Sequence, residues 1–332
     1  GRQHVHVARE AQHRGGRGVT GVTMREADEV QHLVAANSHD SLLFFTDRGR
    51  VFQVKVYDLP DAGRTAKGVP IINLIAIQPN ENVTTMLPIK KFDEGQFLFM
   101  CTRKGTVKRT ALTQFSSVRS SGLIAISLDE DDELAWVRPT SGSDELILVT
   151  EQAKAIRFDE NDVRAMGRTA AGVIGIRPAK GDRVMAVNVI AAAAREHDLM
   201  IISENGFGKR TALSEFNDQR RGGQGVTAIK LSARNGKVAG AQIVGPEQEV
   251  MFMSNGRVVI RTRVAQIQRY GRQAQSVAVM KLAAGDRVVS MTALSERQEE
   301  ADALVDTLSE GIKAANATAP KKNGRTPKAA TT

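Results

Sequence analysis

Cysteine is almost missing: Cys101 is the one thiol in 332 residues. That count excludes an intramolecular disulfide and a cysteine-based zinc cluster, and it suits a reducing compartment. Long apolar runs are missing too. The most apolar stretch, 186–194, is short and contains Asn188, well below the roughly 20 residues that a membrane-spanning helix needs. The start shows no signal-peptide pattern, so no membrane association and a cytoplasmic location are expected. Helical periodicity is scarce before residue 295. No catalytic constellation is visible. The run Gly206-Phe-Gly-Lys-Arg-Thr211 has the letters of a phosphate-binding loop without its spacing. Tyr57 and Tyr270 have no neighbouring acidic metal cluster, which argues against either as a metal-assisted nucleophile. His4, His6 and His13 read as exposed histidines and not as a metal site. Asp129-Glu-Asp-Asp-Glu133 reads as a solvated turn between strands.

What is present is positive charge and repetition. Lys+Arg number 46 against 37 Asp+Glu, a net charge of +9, which favours a polyanionic partner. The hydrophobic fraction of 41% suits a folded chain. One phrase recurs six times: an arginine, two or three small or polar residues, then a small residue and an aliphatic one. The closing aliphatic residues are Val19, Val69, Leu123, Val173, Val226 and Val277, spaced by 50, 54, 50, 53 and 51 residues. Upstream of each lies an apolar run, a tight turn and a basic alternating run, as in Leu42-Leu-Phe-Phe-Thr-Asp-Arg-Gly-Arg-Val-Phe52. Gly49, Gly105, Gly206 and Gly256 fill the turn, with Ala153 at the same place in the fourth copy. Such turns demand positive φ. A third strand-like phrase follows each loop (Gly172–Ile176, Gly225–Leu231), and a fourth closes the unit (Asp182–Val187, Asp286–Met291). Four strands per unit of about fifty residues, six units in a row, predicts an all-β bladed ring over 1–295. Gly1 stands eighteen residues before Val19, so the chain is expected to begin at a hairpin turn, as a piece of a longer polypeptide. Residues 296–332 read as a tail: an acidic helical segment with Leu304, Val305, Leu308 and Ile312 in register, then disorder.

The loops carry the chemistry. In the first, Gln12, His13, Arg14, Gly15, Gly16, Arg17 and Gly18 combine three glycines with two arginines. Glycine lets the backbone approach another surface closely, and arginine presents a donor fork matched to phosphate oxygens. The fifth loop repeats this with Arg220, Arg221 and Gln224; the others keep Arg64 (with Lys67), Arg119, Arg168 and Arg272. Basic residues of the second hairpin strands, Lys108, Arg109, Lys209, Arg210, Arg261 and Arg263, are expected to extend these loops into a belt around the rim. All are candidates for binding a duplex backbone; none is a catalytic or metal-ligating candidate.

Residues 12–18 resemble the gyrase box, the signature of the C-terminal domain of the DNA gyrase A protein. His13 stands where that pattern carries arginine or lysine, which leaves the charge there dependent on pH. The phrases Asn205-Gly-Phe-Gly-Lys-Arg-Thr211, Arg164-Ala-Met-Gly167 and Val259-Ile-Arg-Thr-Arg-Val264 are similar to that family too, and the resemblance covers about residues 1–294. It implies a six-bladed β-pinwheel with strands exchanged between neighbouring blades. It also implies a basic rim that bends and wraps duplex DNA, and a box required for negative supercoiling. The implied partners are double-stranded DNA, the remainder of gyrase A, and gyrase B in a heterotetramer, at the nucleoid. The fragment itself is expected to be a monomer without catalytic residues or cofactor; ATP and Mg²⁺ would serve other parts of the enzyme. Two alternatives stand beside this reading: the corresponding C-terminal domain of topoisomerase IV, whose box is degenerate, and a propeller that docks proteins. The acidic face of 299–310 is expected to compete with DNA for the rim.

Overall fold

The computed structural model describes residues 4–5, 36–60, 69–256 and 258–294. The box at 12–18, Arg64, Lys67 and the tail lie outside the described residues. After β1 (His4–Val5) comes a hairpin of β2 (Ser41–Thr46) and β3 (Arg50–Lys55), then β4 (Val69–Pro70) and β5 (Val83–Ile89). The order recurs as β6 (Phe97–Thr102), β7 (Thr106–Ala111), β8 (Leu123–Ile124) and β9 (Leu134–Thr140). A third round holds β10 (Glu145–Thr150), β11 (Lys154–Asp159), β12 (Val173–Ile174) and β13 (Val184–Ile190). A fourth holds β14 (Asp198–Ser203), β15 (Phe207–Ala212), β16 (Val226–Thr227) and β17 (Val238–Val244). The fifth is β18 (Glu249–Ser254), β19 (Val259–Arg263), β20 (Val277–Ala278) and β21 (Val288–Leu294).

Sheets and rounds are offset. The sheets run β5-β2-β3-β8, β9-β6-β7-β12, β13-β10-β11-β16 and β17-β14-β15-β20. Each takes three strands from one round and a two-residue strand from the next. The third strand-like phrase of the sequence is thus real but short, and it is given away to the preceding blade. The last sheet, β21-β18-β19, has three strands, and β4 pairs with β1. Among the described residues there are five blades, which corrects the expected six. The first of the six loop copies falls in the residues not described.

Burial explains the apolar runs. β2, β10 and β14 are buried at every position, because each lies mid-sheet with apolar side chains packed against both faces. Such strands show no alternation. β18 alternates instead, since the described residues cover one of its faces. The core is a set of layers between successive blades: Phe45, Leu98, Phe115 and Val137 meet in one, Phe99, Leu148, Phe158 and Val187 in the next, and Ile147, Ile201, Leu213 and Phe216 in a third.

The hairpin turns are built alike. Thr46, Thr102, Thr150 and Ser254 accept a hydrogen bond on the side-chain oxygen from the backbone N–H four residues on. Gly49, Gly105 and Gly206 take positive φ, and Ala153 does the same at 63°. Gly256 does not. The pairing of Met253 with Val259 places Val258 where Phe207 stands in the fourth round, so the turn keeps its length and Gly256 stands one place before the position that Gly206 occupies. Asp132, of the acidic run, accepts from Glu133 N–H in its own turn and from Lys104 N–H in the β6–β7 turn, tying the two together.

Candidate nucleic-acid interface

The strand-borne basic residues do not line the rim as expected. Lys108 and Lys209 are fully buried, at 0% exposure. The Lys209 ammonium donates to the carbonyl oxygens of Gly271, Arg272 and Ala274 at 2.6, 2.8 and 3.1 Å. Lys108 donates to Ala125 O at 2.7 Å and to Arg168 O. Burial pulls both amines down to about 8. Arg109 is buried against Glu160 and Asn161 and stacks on Phe97. Arg210 pairs with Asp198 at 3.0 Å and donates to Ile267 O at 2.7 Å. Arg261 and Arg263 both meet Glu249. Arg157, at the position of Arg109 and Arg210, does the same with Glu145 and reaches Leu213 O in the next blade. In three blades the carboxylate that opens the first hairpin strand, Glu145, Asp198 or Glu249, lies diagonally across from an arginine of the second, Arg157, Arg210 or Arg261, and Arg109 meets Glu160 of the next round instead. These arginines are paired with carboxylates inside the fold.

The loop arginines are placed differently. Ser127 N donates to Ala170 O, Arg177 N to Gly223 O and Lys230 N to Ala274 O; Ala76 N donates to Ser120 O. The acceptors sit at equivalent places in four successive loops, so the loops are hydrogen-bonded one to the next in a continuous series. Arg221 Nη1 donates to Ile174 O and Arg272 Nη1 to Thr227 O, again equivalent positions. Arg119 and Arg220 are exposed, and Arg168 is half-buried. Among the described residues no carboxylate pairs with the side chain of Arg119, Arg168, Arg220, Arg221 or Arg272. A guanidinium bonded to neutral carbonyls keeps its charge, and its remaining N–H groups stay available.

A second basic row escaped the sequence reading. Arg177, Lys230 and Lys281 each stand four residues after the first residue of a donated strand, and all three are exposed. The signal was the same period, applied at another offset. Together the two rows make a ribbon of uncompensated positive charge along consecutive blade edges.

Comparison with known proteins agrees with this architecture. The family profile for "DNA gyrase C-terminal domain, beta-propeller" matches residues 9–37, 40–90, 96–141, 144–191, 197–245 and 248–295. The chain belongs to that family. The DNA gyrase A protein of Salmonella typhimurium is 43% identical over 304 residues, covering 91% of this chain and 34% of the relative. The Escherichia coli gyrase A protein is 41% identical over 299 residues, covering 90% and 34%. The chain therefore spans about a third of the length of these relatives. A crystal structure of the C-terminal domain of DNA topoisomerase IV superposes with a TM-score of 0.75 at 26% identity, covering 88% of this chain and 89% of that one. A DNA gyrase A C-terminal domain gives 0.67 at 25% identity, covering 83% and 92%. The fold is an all-β propeller. No helix of the described residues is long and apolar enough to cross a membrane.

Proposed function

We propose that this domain binds duplex DNA without reading its sequence and bends it along the rim, so that a full gyrase can introduce negative supercoils. The observation that supports this most is the linked series of loops whose arginines lack carboxylate partners. Curving roughly 30–40 base pairs through a half turn costs on the order of 10–15 kcal/mol by elastic estimate. One loop cannot offset that. About ten phosphate contacts can, because each contact contributes a salt-dependent release of counterions. Arg119, Arg168, Arg220, Arg221 and Arg272 with Arg177, Lys230 and Lys281 approach that number, and Arg14 and Arg17 of the box complete it. Backbone contacts of this kind carry little sequence information.

In this reading the partners are double-stranded DNA, the rest of gyrase A and gyrase B, in the bacterial cytoplasm. The fragment holds no catalytic residue and takes no cofactor of its own. The test measures DNA affinity against salt, and the linking number of relaxed circles closed again in the domain's presence. A steep fall with salt and a shifted linking number support wrapping. Binding that ignores salt would favour a protein-docking propeller. The superposition on topoisomerase IV favours a second reading, a C-terminal domain that does not supercoil. Fusion to a gyrase catalytic core separates the two: supercoiling is restored by a gyrase domain, and is lost again in Arg14→Ala with Arg17→Ala.

A further inference from the structure

The third residue of the second hairpin strand occupies one equivalent place in every blade. Strand register identifies it as Phe52, Lys108, Ile156, Lys209 and Ile260, opposite Phe44, Met100, Leu148, Ile201 and Phe252. In four blades a rim loop of the following round lies over it. Two solutions alternate. Over Phe52 sits Gly122, where an added Cβ would come within 2.4 Å of the ring; over Ile156 sits Gly223, with 3.4 Å to the side chain. Glycine lets those loops settle directly on an apolar floor. Over the two lysines the loops run Arg168-Thr-Ala-Ala-Gly172 and Arg272-Gln-Ala-Gln-Ser276, with alanine (Ala170, Ala274) at the place that Gly223 holds over Ile156. These loops turn carbonyl oxygens downward, where each needs a donor. The ammonium supplies it: Lys209 donates to Gly271 O, Arg272 O and Ala274 O, and Lys108 donates to Arg168 O of its loop and to Ala125 O of its own round.

We propose that Lys108 and Lys209 are positioning residues of the rim, holding loop carbonyls inward so that Arg168 and Arg272 face the DNA backbone. This rests on the wrapping reading above. Both ammonium groups are inaccessible, so a direct phosphate contact is excluded. A carbonyl held by a cation beneath is one fewer partial negative charge facing a phosphate. The arginine carrying that carbonyl is fixed at its own backbone: the bonds go to Arg168 O and Arg272 O themselves.

The experiment is a double-mutant cycle in the whole chain, read as affinity for a mixed-sequence linear duplex across a salt series. Loss of one phosphate contact lowers the slope of log K against log salt by about 0.9, or about eight-fold in affinity near 0.1 M salt. Arg272→Ala is expected to show that loss, and Lys209→Met a loss approaching it. The two together should lose no more than Arg272→Ala alone. The pair Lys108→Met and Arg168→Ala should behave alike. Multiplying losses, or lysine variants that bind like wild type, overturn the proposal. Lys209→Ile with Gln273→Gly, Ala274→Gly and Ser276→Gly copies the loop over Ile156 and is expected to restore affinity that Lys209→Ile alone loses; failure of that rescue counts against a positioning role. Acetylation by a water-soluble reagent decides even where a variant fails to fold. Both lysines should stay unmodified in wild type with and without DNA; ready modification that DNA suppresses would overturn the proposal by making them contacts. Absence of salt-steep binding by wild type would instead sink the wrapping reading itself.

Discussion

Replacing Arg119, Arg168 and Arg272 together by alanine separates the binding of the rim from its stability. None of the three has a carboxylate partner among the described residues, and Arg119 is exposed. Their removal leaves no buried charge unpaired. The one side-chain bond among them that the structure shows, Arg272 Nη1 to Thr227 O, has a charged donor and is worth roughly 1.5–3 kcal/mol. The fold should therefore lose no more than that. Binding should lose much. Three fewer phosphate contacts lower the salt slope by about 2.7, which near 0.1 M salt is roughly 500-fold in affinity. Fluorescence anisotropy on a labelled duplex from about 50 to 200 mM salt, the range over which such contacts separate, measures both quantities on one sample. An unchanged slope with unchanged unfolding refutes the assignment of these arginines. A collapsed fold refutes the claim that they are structurally spare.

Other expectations concern the interior. Glu160 accepts from Thr140 Oγ1 and Asp144 N and faces Arg109, all buried; Glu160→Ala should cost about 3–5 kcal/mol in urea unfolding, and a loss under about 1 would show the pair to be dispensable. Gly122→Ala combines a φ of +81° with a contact of 2.4 Å to Phe52, for about 2–4 kcal/mol; an unchanged urea midpoint would show that the ring moves aside at no cost. Lys108 and Lys209 are expected to titrate near pH 8, pulled by burial from 10.5. An unfolded lysine keeps its proton to the higher value, so the unfolded chain binds more protons between the two. The stability contributed by these groups therefore rises with pH across that window. NMR titration of labelled lysines checks this, and midpoints above about 10 for both would contradict it.

Much of this architecture was legible because a bladed fold writes itself as a period. Apolar runs marked the mid-sheet strands, and the turn positions were visible even where Ala153 replaces glycine. Spacing did not reveal that β8 belongs to the sheet of β2 and β3; strand exchange came only with the family resemblance. The basic residues were less legible. Sequence showed Lys108-Arg109 and Lys209-Arg210 as exposed pairs, since alternation on a strand flanked by polar residues suggests one solvated face. It hid Glu160 and Asp198, which pair with Arg109 and Arg210. Acidic residues opening apolar runs were the available signal. The row of Arg177, Lys230 and Lys281 escaped for a simpler reason: it lies outside the glycine-rich phrase, at another offset of the same period.

The offset between rounds and sheets reaches beyond the rim. A length of chain that could be duplicated or lost as one genetic unit begins and ends in its own blade but lends its third strand to the edge of the preceding one. Adding or deleting such a unit leaves every junction with the partner strand it needs, so the number of blades can change without a new interface being invented. A tear at one blade, by contrast, strips its neighbour of an edge, and damage should spread from blade to blade by single steps.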